Sequence, residues 1–173
     1  FAYSELANKM MLQTEIGSSV SNGLCKIYVG KAPQINYKIG EPVLIYRKYT
    51  QGTGKKFRSC ITSYCVITDL IQAKSNNQFL MSFEKLKQRI GNKSVFDEKE
   101  LLRQYNEYRN VVVMEMLYFG YFGAGNNVNM DWLDKNGCWA IQNQYPTDVR
   151  LSENQFKKIL MEGNVNVSDV IIN

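Results

Sequence analysis

RSCITSYCVITDLI, residues 58–71, is the stretch that decides the fold, because it predicts one long β-strand. Alternation along a strand places Ile61, Ser63, Cys65 and Ile67 on one face and their neighbours on the other. A strand of this length usually bends, as the strands of small barrels do. The stretch therefore predicts a sheet that curves around a core.

Upstream of this strand, the sequence predicts two further strands. Residues 24–29 are apolar enough for the first, and residues 43–49 form the second. Pro42 is expected at a strand start because it cannot donate to a ladder. Residues 50–56 contain two glycines and predict a hairpin loop leading into the long strand.

Downstream, the pattern becomes helical and then returns to strand. We predict helices over 82–90 and 97–109, a buried strand over 111–117 and a helix over 152–161. Asp97 and Ser152 each begin a capping-box pattern. The predicted class is α+β, a small β-barrel with three or four flanking helices.

The chain is long enough for one domain, which we place at 24–173 with a helical insertion at about 82–109. Residues 1–23 are predicted to be a lead-in helix followed by a loop. Because the chain begins with Phe1, we expect a processed or trimmed piece of a longer protein that lacks either an N-terminal partner domain or a targeting segment.

Composition excludes several classes of protein. Histidine is absent, which removes Ser-His-Asp and Cys-His catalysis and histidine-containing zinc sites. The four cysteines form no CxxC pair, so we predict small buried side chains, no metal and no cofactor. No apolar run approaches the ~18 residues of a membrane span, so a cytoplasmic protein without a membrane partner is expected.

The positive charge is concentrated in one part of the sequence. From Lys26 to Arg58 there are eight basic residues and one acidic residue, whereas the rest of the chain has 13 basic and 15 acidic residues. Such an asymmetry is typical of a polyanion binder, and a solvated hairpin is the alternative.

Residues 52–56, GTGKK, do not match the phosphate loop of nucleotide hydrolases, because the spacing differs and Lys56 replaces the hydroxyl residue. We predict instead that basic side chains hold backbone phosphates and that aromatic side chains stack on bases, and a place in the core is the alternative for each aromatic. Residues 118–125, four aromatics among glycines, are predicted to wall a pocket, and a bulge and turn with aromatic packing is the alternative. The candidate nucleic-acid-binding residues are Lys31, Tyr46, Lys48, Lys55, Lys56, Arg58, Tyr64 and Trp132.

Two other functions remain open. An enzyme or regulatory domain acting on a small molecule or modified nucleotide would use Lys31 or Asp131 for proton transfer. Asp131 and Asp134 are spaced to share a helical face, although a solvated turn fits them too. The third alternative is an interaction domain serving a larger, acetyltransferase-type protein.

Three motifs resemble those of the PUA-like superfamily, which includes the PUA, ASCH and EVE domains. The first strand ends in Gly30-Lys31, a turn reads GEPVLIY over 40–46, and the long strand ends in VITDL over 66–70. The helix over 151–160 is similar to the closing helix of some members. This resemblance implies a pseudo-barrel that binds RNA or modified bases in DNA and that is often fused to a catalytic domain.

The chain departs from the pattern of ASCH-type hydrolases, which carry a Gly-x-Lys-x-x-Glu signature. Gly30 and Lys31 are adjacent, and no glutamate follows before Glu41. The resemblance therefore favours a nucleic-acid-binding module, of RNA or modified-base DNA, without catalysis of its own.

Overall fold

The computed structural model describes residues 25–31, 37–94, 96–138 and 149–169. The predicted lead-in segment 1–23 lies outside these residues. The chain divides into two compact units. Among the described residues, the first comprises 42–65, 119–138 and 149–169, and the second comprises 25–31, 37–41, 66–94 and 96–118.

Six strands form one sheet in the described residues. The strands are β1 (Cys25–Gly30), β2 (Pro42–Arg47), β3 (Cys60–Ser75), β4 (Gln78–Phe79), β5 (Val111–Tyr121) and β6 (Val128–Asn129). Their order is β1-β5-β3-β2, and β4 and β6 each pair with β3. β1 runs antiparallel to β5, from Cys25 opposite Leu117 to Gly30 opposite Val112.

The sheet is open across the residues that the structure describes, so the predicted barrel is not confirmed. The long strand is confirmed, but it begins two residues later than predicted and extends four residues further, to Ser75. Pro42 does begin β2, as expected of a residue without a backbone donor.

The described residues form five helices. They are α1 (Lys55–Arg58), α2 (Phe83–Ile90), α3 (Glu98–Glu107), α4 (Met130–Lys135) and α5 (Glu153–Glu162). Short 3₁₀ turns follow at Gly91–Lys93 and Val167–Asp169. None of the described helices is long and apolar enough to cross a bilayer.

Side chains cap the helices where the sequence predicts. Ser152 and Gln155 form the reciprocal capping box of α5. The Asp97 carboxylate accepts from the Glu100 N–H at the start of α3, at 2.8 Å. Each such bond satisfies a backbone donor that the helix leaves without a partner.

Each unit has an apolar core of its own. In the first unit α5 covers the core with Ile159 and Leu160, both 0% exposed, and each buried side chain of this size contributes roughly 1.5–3 kcal/mol. Its buried members are Leu44, Tyr46, Ile61, Tyr64, Phe122, Val128, Leu133, Cys138, Phe156, Ile159 and Leu160. The core of the second unit comprises Ile27, Ile71, Ala73, Leu86, Ile90, Leu101, Tyr105, Val111 and Val113.

The cysteines behave as small core residues. Cys60, Cys65 and Cys138 are buried, Cys25 is half-buried, and all four are free thiols. Burial raises the pKa of the Cys138 thiol, which keeps it neutral and unreactive.

Candidate nucleic-acid interface

The basic segment after β2 forms a helical turn, which corrects the predicted passage from hairpin loop directly into strand. Gly54 has a φ of 86°, a left-handed conformation that glycine adopts without strain, and α1 begins at the next residue. The N–H groups of Phe57 and Arg58 donate to the Gly54 carbonyl, and that of Ser59 donates to the Lys55 carbonyl. The strand can therefore start only at Cys60.

This turn presents an aromatic ring among cations. All four residues of α1 are exposed, and Phe57 is 66% exposed. Arg47, Lys48, Lys55, Lys56 and Arg58 give the Pro42–Cys65 segment five basic residues, and it contains no acidic residue. Phe57 is therefore an exposed aromatic side chain with a cationic residue on either side of it in the chain.

Arg58 is held in place by an aromatic neighbour. Its Nη1 donates to the Tyr49 hydroxyl at 2.6 Å, and its Cζ lies 5.0 Å from the centroid of the Tyr49 ring. The Tyr49 N–H in turn donates to Ser59 Oγ at 3.0 Å. A guanidinium has five N–H donors, so an arginine fixed in this way can still make a bidentate bond to a phosphate.

Lys56 lies in a different electrostatic environment. Its Nζ is 3.1 Å from Asp131 Oδ1 and 3.5 Å from Asp134 Oδ2, and Lys135 Nζ is 2.7 Å from the other oxygen of Asp131. The two aspartates share one face of α4, as their spacing predicts. We call Lys56, Asp131, Asp134 and Lys135 the ion-pair cluster. Its formal charges cancel.

The cluster shifts the pKa values of its members. A hydrogen bond from Lys135, followed by one from Lys56, holds the Asp131 pKa below its usual range. The hydrogen bond to Asp131 raises the Lys56 pKa. Asp131 is therefore a charged, paired carboxylate at neutral pH, which makes it a poor proton donor.

The predicted stacking residues Tyr46 and Tyr64 belong to the core of the first unit. Tyr46 is 1% exposed and Tyr64 is 9% exposed, so neither presents a ring face to a ligand in this structure. The exposed ring is Phe119, which stacks on Tyr64 at a centroid distance of 6.0 Å and an interplanar angle of 20°. Strand alternation could not predict the burial of Tyr64, because both faces of β3 are buried between Cys60 and Cys65.

The glycine-rich aromatic segment is part strand and part turn. β5 continues to Tyr121, and Phe119 and Tyr121 are both exposed on it. Phe122 returns to the core, and a turn follows in which Gly123 and Gly125 have φ values of 93° and 86°. Trp132 is half-buried against the same core.

The remaining two predicted residues are placed as follows. Lys31 belongs to the second unit, where its Nζ lies 3.9 Å above the centroid of the Tyr108 ring. Lys48 is half-buried directly after β2. The first unit therefore brings together Lys55, Lys56 and Arg58 on α1.

The sequence did not lead us to predict that the aromatic residues Phe57, Phe119 and Tyr121 are exposed. The available signal was Phe57 itself, an aromatic inside the basic run KKFR, which interleaves the two residue types that single-strand binders combine. As for metals, no three Cys, Asp or Glu side chains come together to hold an ion in the described ranges.

Comparisons with known proteins identify a fold. No family model matches the chain. No curated protein matches it either. Among solved structures, a crystal structure of an ASCH protein from Zymomonas mobilis matches with a TM-score of 0.51 and 14% identity, covering 79% of this chain and 80% of that one. A serine-to-alanine mutant of the same protein matches with a TM-score of 0.51 and 15% identity, covering 80% and 83%. The chain therefore has a fold similar to that of this ASCH protein, which agrees with the fold that the sequence motifs imply.

Proposed function

We propose that this protein binds single-stranded nucleic acid through the exposed basic turn α1 and the residues next to it. The observation that carries this proposal is Phe57, 66% exposed and flanked by Lys55, Lys56 and Arg58. Cations that follow a phosphate backbone, together with an aromatic ring that accepts a base, are what single-strand binding requires.

The phosphate contacts are assigned to Lys48, Lys55 and Arg58. Lysines attract phosphates as point charges, and Arg58, oriented by Tyr49, suits a bidentate contact. Each neutralised phosphate releases condensed counterions, so affinity falls as salt rises. Three contacts on a single strand predict a slope of about −2 in a plot of log affinity against log salt, since each contributes about 0.7.

The base contact is assigned to Phe57. Its ring can stack only on a base whose face is accessible, and a duplex hides both faces of every internal base pair. Phe119 is 53% exposed and its ring stacks on the ring of Tyr64, so it offers a second aromatic ring for a base. Single strands are therefore the preferred ligand.

The fold supports the same conclusion. An ASCH-type domain belongs to the PUA-like superfamily, for which the sequence resemblance implies RNA or modified-base DNA as ligand. In this proposal the buried Tyr46 and Tyr64 do not contact the nucleic acid, because their rings are packed in the core.

The test is fluorescence anisotropy with labelled single-stranded RNA, single-stranded DNA and duplex DNA at several salt concentrations. We expect single strands to bind more tightly than the duplex, with an affinity that falls about 20-fold between about 50 and about 200 mM salt. The variant Lys55→Gln should reduce the slope by about 0.7, whereas Lys158→Gln, an exposed lysine on α5, should leave it unchanged. No binding of any probe at low salt would refute the proposal.

A further inference from the structure

We infer that Lys56 is a positioning residue, which fixes α1 to α4 so that Phe57 and the neighbouring cations are held out for a ligand. Lys56 itself makes no phosphate contact in this inference. The assignment rests on the proposed function, and it removes Lys56 from the set of phosphate-binding residues predicted from the sequence.

α1 lacks the usual means of staying folded. It has four residues, none of them buried, and Gly54 at its start offers no side-chain cap. A helix of one turn is unstable in isolation, because fixing its backbone angles costs more than its few hydrogen bonds return. Something outside the helix must therefore hold it.

The ion-pair cluster supplies one such contact, in addition to the Arg58–Tyr49 hydrogen bond and the bond from the Met130 N–H to the Ser59 carbonyl. Lys56 reaches both Asp131 and Asp134, and the Asp131 side chain is 15% exposed, so this pair is partly shielded from water. Isolated surface ion pairs contribute little, but a network shares the entropic cost of ordering its side chains. α4 is itself well anchored, since Asn129 caps it and Leu133 is 0% exposed.

The same carboxylates make Lys56 a poor phosphate site. A phosphate at its ammonium group would lie beside two negative charges within 3.5 Å of the same nitrogen. Like charges at such distances repel, and the cluster has no excess positive charge to offset that cost.

Removing the carboxylates distinguishes a positioning role of Lys56 from phosphate binding, because the two roles predict opposite changes in the affinity for single strands. The double variant Asp131→Asn and Asp134→Asn should weaken single-strand binding by about threefold or more if Lys56 positions α1. If Lys56 binds phosphate, the same variant should bind more tightly, since two repelling charges are gone. The matched control is Glu153→Gln with Glu162→Gln, which removes two carboxylates of α5 in the same unit.

The salt dependence gives a second test through Lys56 itself. The variant Lys56→Gln should lower the affinity yet leave the salt slope unchanged, whereas Lys55→Gln should reduce that slope by about 0.7. A reduced slope for Lys56→Gln would overturn the inference.

A third measurement does not depend on any ligand. Amide hydrogen exchange of Phe57, Arg58 and Ser59 in the free protein reports whether α1 is formed, because these N–H groups make its hydrogen bonds. We expect several-fold faster exchange in both cluster variants. Unchanged exchange would overturn the inference, whereas failure of the wild-type protein to bind any probe would refute only the proposed function.

Discussion

Phe57→Ala removes the ring on which the proposed base contact depends. Stacking of a base on an aromatic side chain is worth about 1–3 kcal/mol, so the variant should bind single strands about 5- to 160-fold more weakly. The ring is 66% exposed and makes no core contact, so the free energy of unfolding should change by less than about 0.5 kcal/mol. Phe57→Tyr should retain most of the affinity, because a ring remains.

Anisotropy titrations at fixed salt measure the affinity of these variants, and thermal melts measure their stability. The matched control is Met161→Ala, because Met161 is 68% exposed in the same unit and is apolar but not aromatic. Both variants should have the same melting temperature as the wild type, and only Phe57→Ala should bind single strands more weakly. Equal affinity of Phe57→Ala and wild type, with both folded, would show that no base stacks there.

Three further predictions concern stability. Gly163→Ala should lower the free energy of unfolding by about 1–3 kcal/mol in denaturant titrations, because an added Cβ would lie 2.5 Å from the buried Phe122 ring; a wild-type midpoint would contradict this packing. The ion pairs that lower the pKa of Asp131 stabilise the fold above about pH 4, and this contribution is lost as the pH falls through that pKa. In a plot of melting temperature against pH, Asp131→Asn should therefore fall less steeply than the wild type at acid pH. An identical fall in melting temperature would refute the pairing. Lys74→Met should cost about 1–3 kcal/mol in the same titrations, since it leaves the buried carbonyl of Tyr105 and the partly buried carbonyl of Asn106 without their donor, and an unaffected variant would show that water replaces it.

The sequence predicted the elements with strong local signals. Ser152 and Asp97 cap the helices they were expected to cap, and Pro42 begins its strand, because each of these effects acts within a few residues. The closed barrel was not confirmed, since closure depends on which strands form the sheet edges. No local pattern encodes that choice.

The candidate site was predicted in part. Charge along the chain was enough to locate the basic segment, because counting charges needs no coordinates, and its role as the binding site stays a prediction. Burial of Tyr46 and Tyr64 could not be foreseen, since the strand alternation that suggested an outer face fails where both faces of a strand are covered. Pairing of Lys56 with Asp131 joins residues 75 positions apart, which the sequence could not indicate.

Lys74 is a lysine on β3 that is only 3% exposed. Its Nζ donates to the carbonyls of Tyr105 and Asn106, 3.2 and 2.7 Å away, in the last turn of α3. The cap of this helix therefore comes from a strand 31 residues earlier in the chain. α3 cannot complete its own end until β3 is in place, so helix and strand are expected to form and melt together, and exchange of the amides in the last turn of α3 should follow the opening of β3.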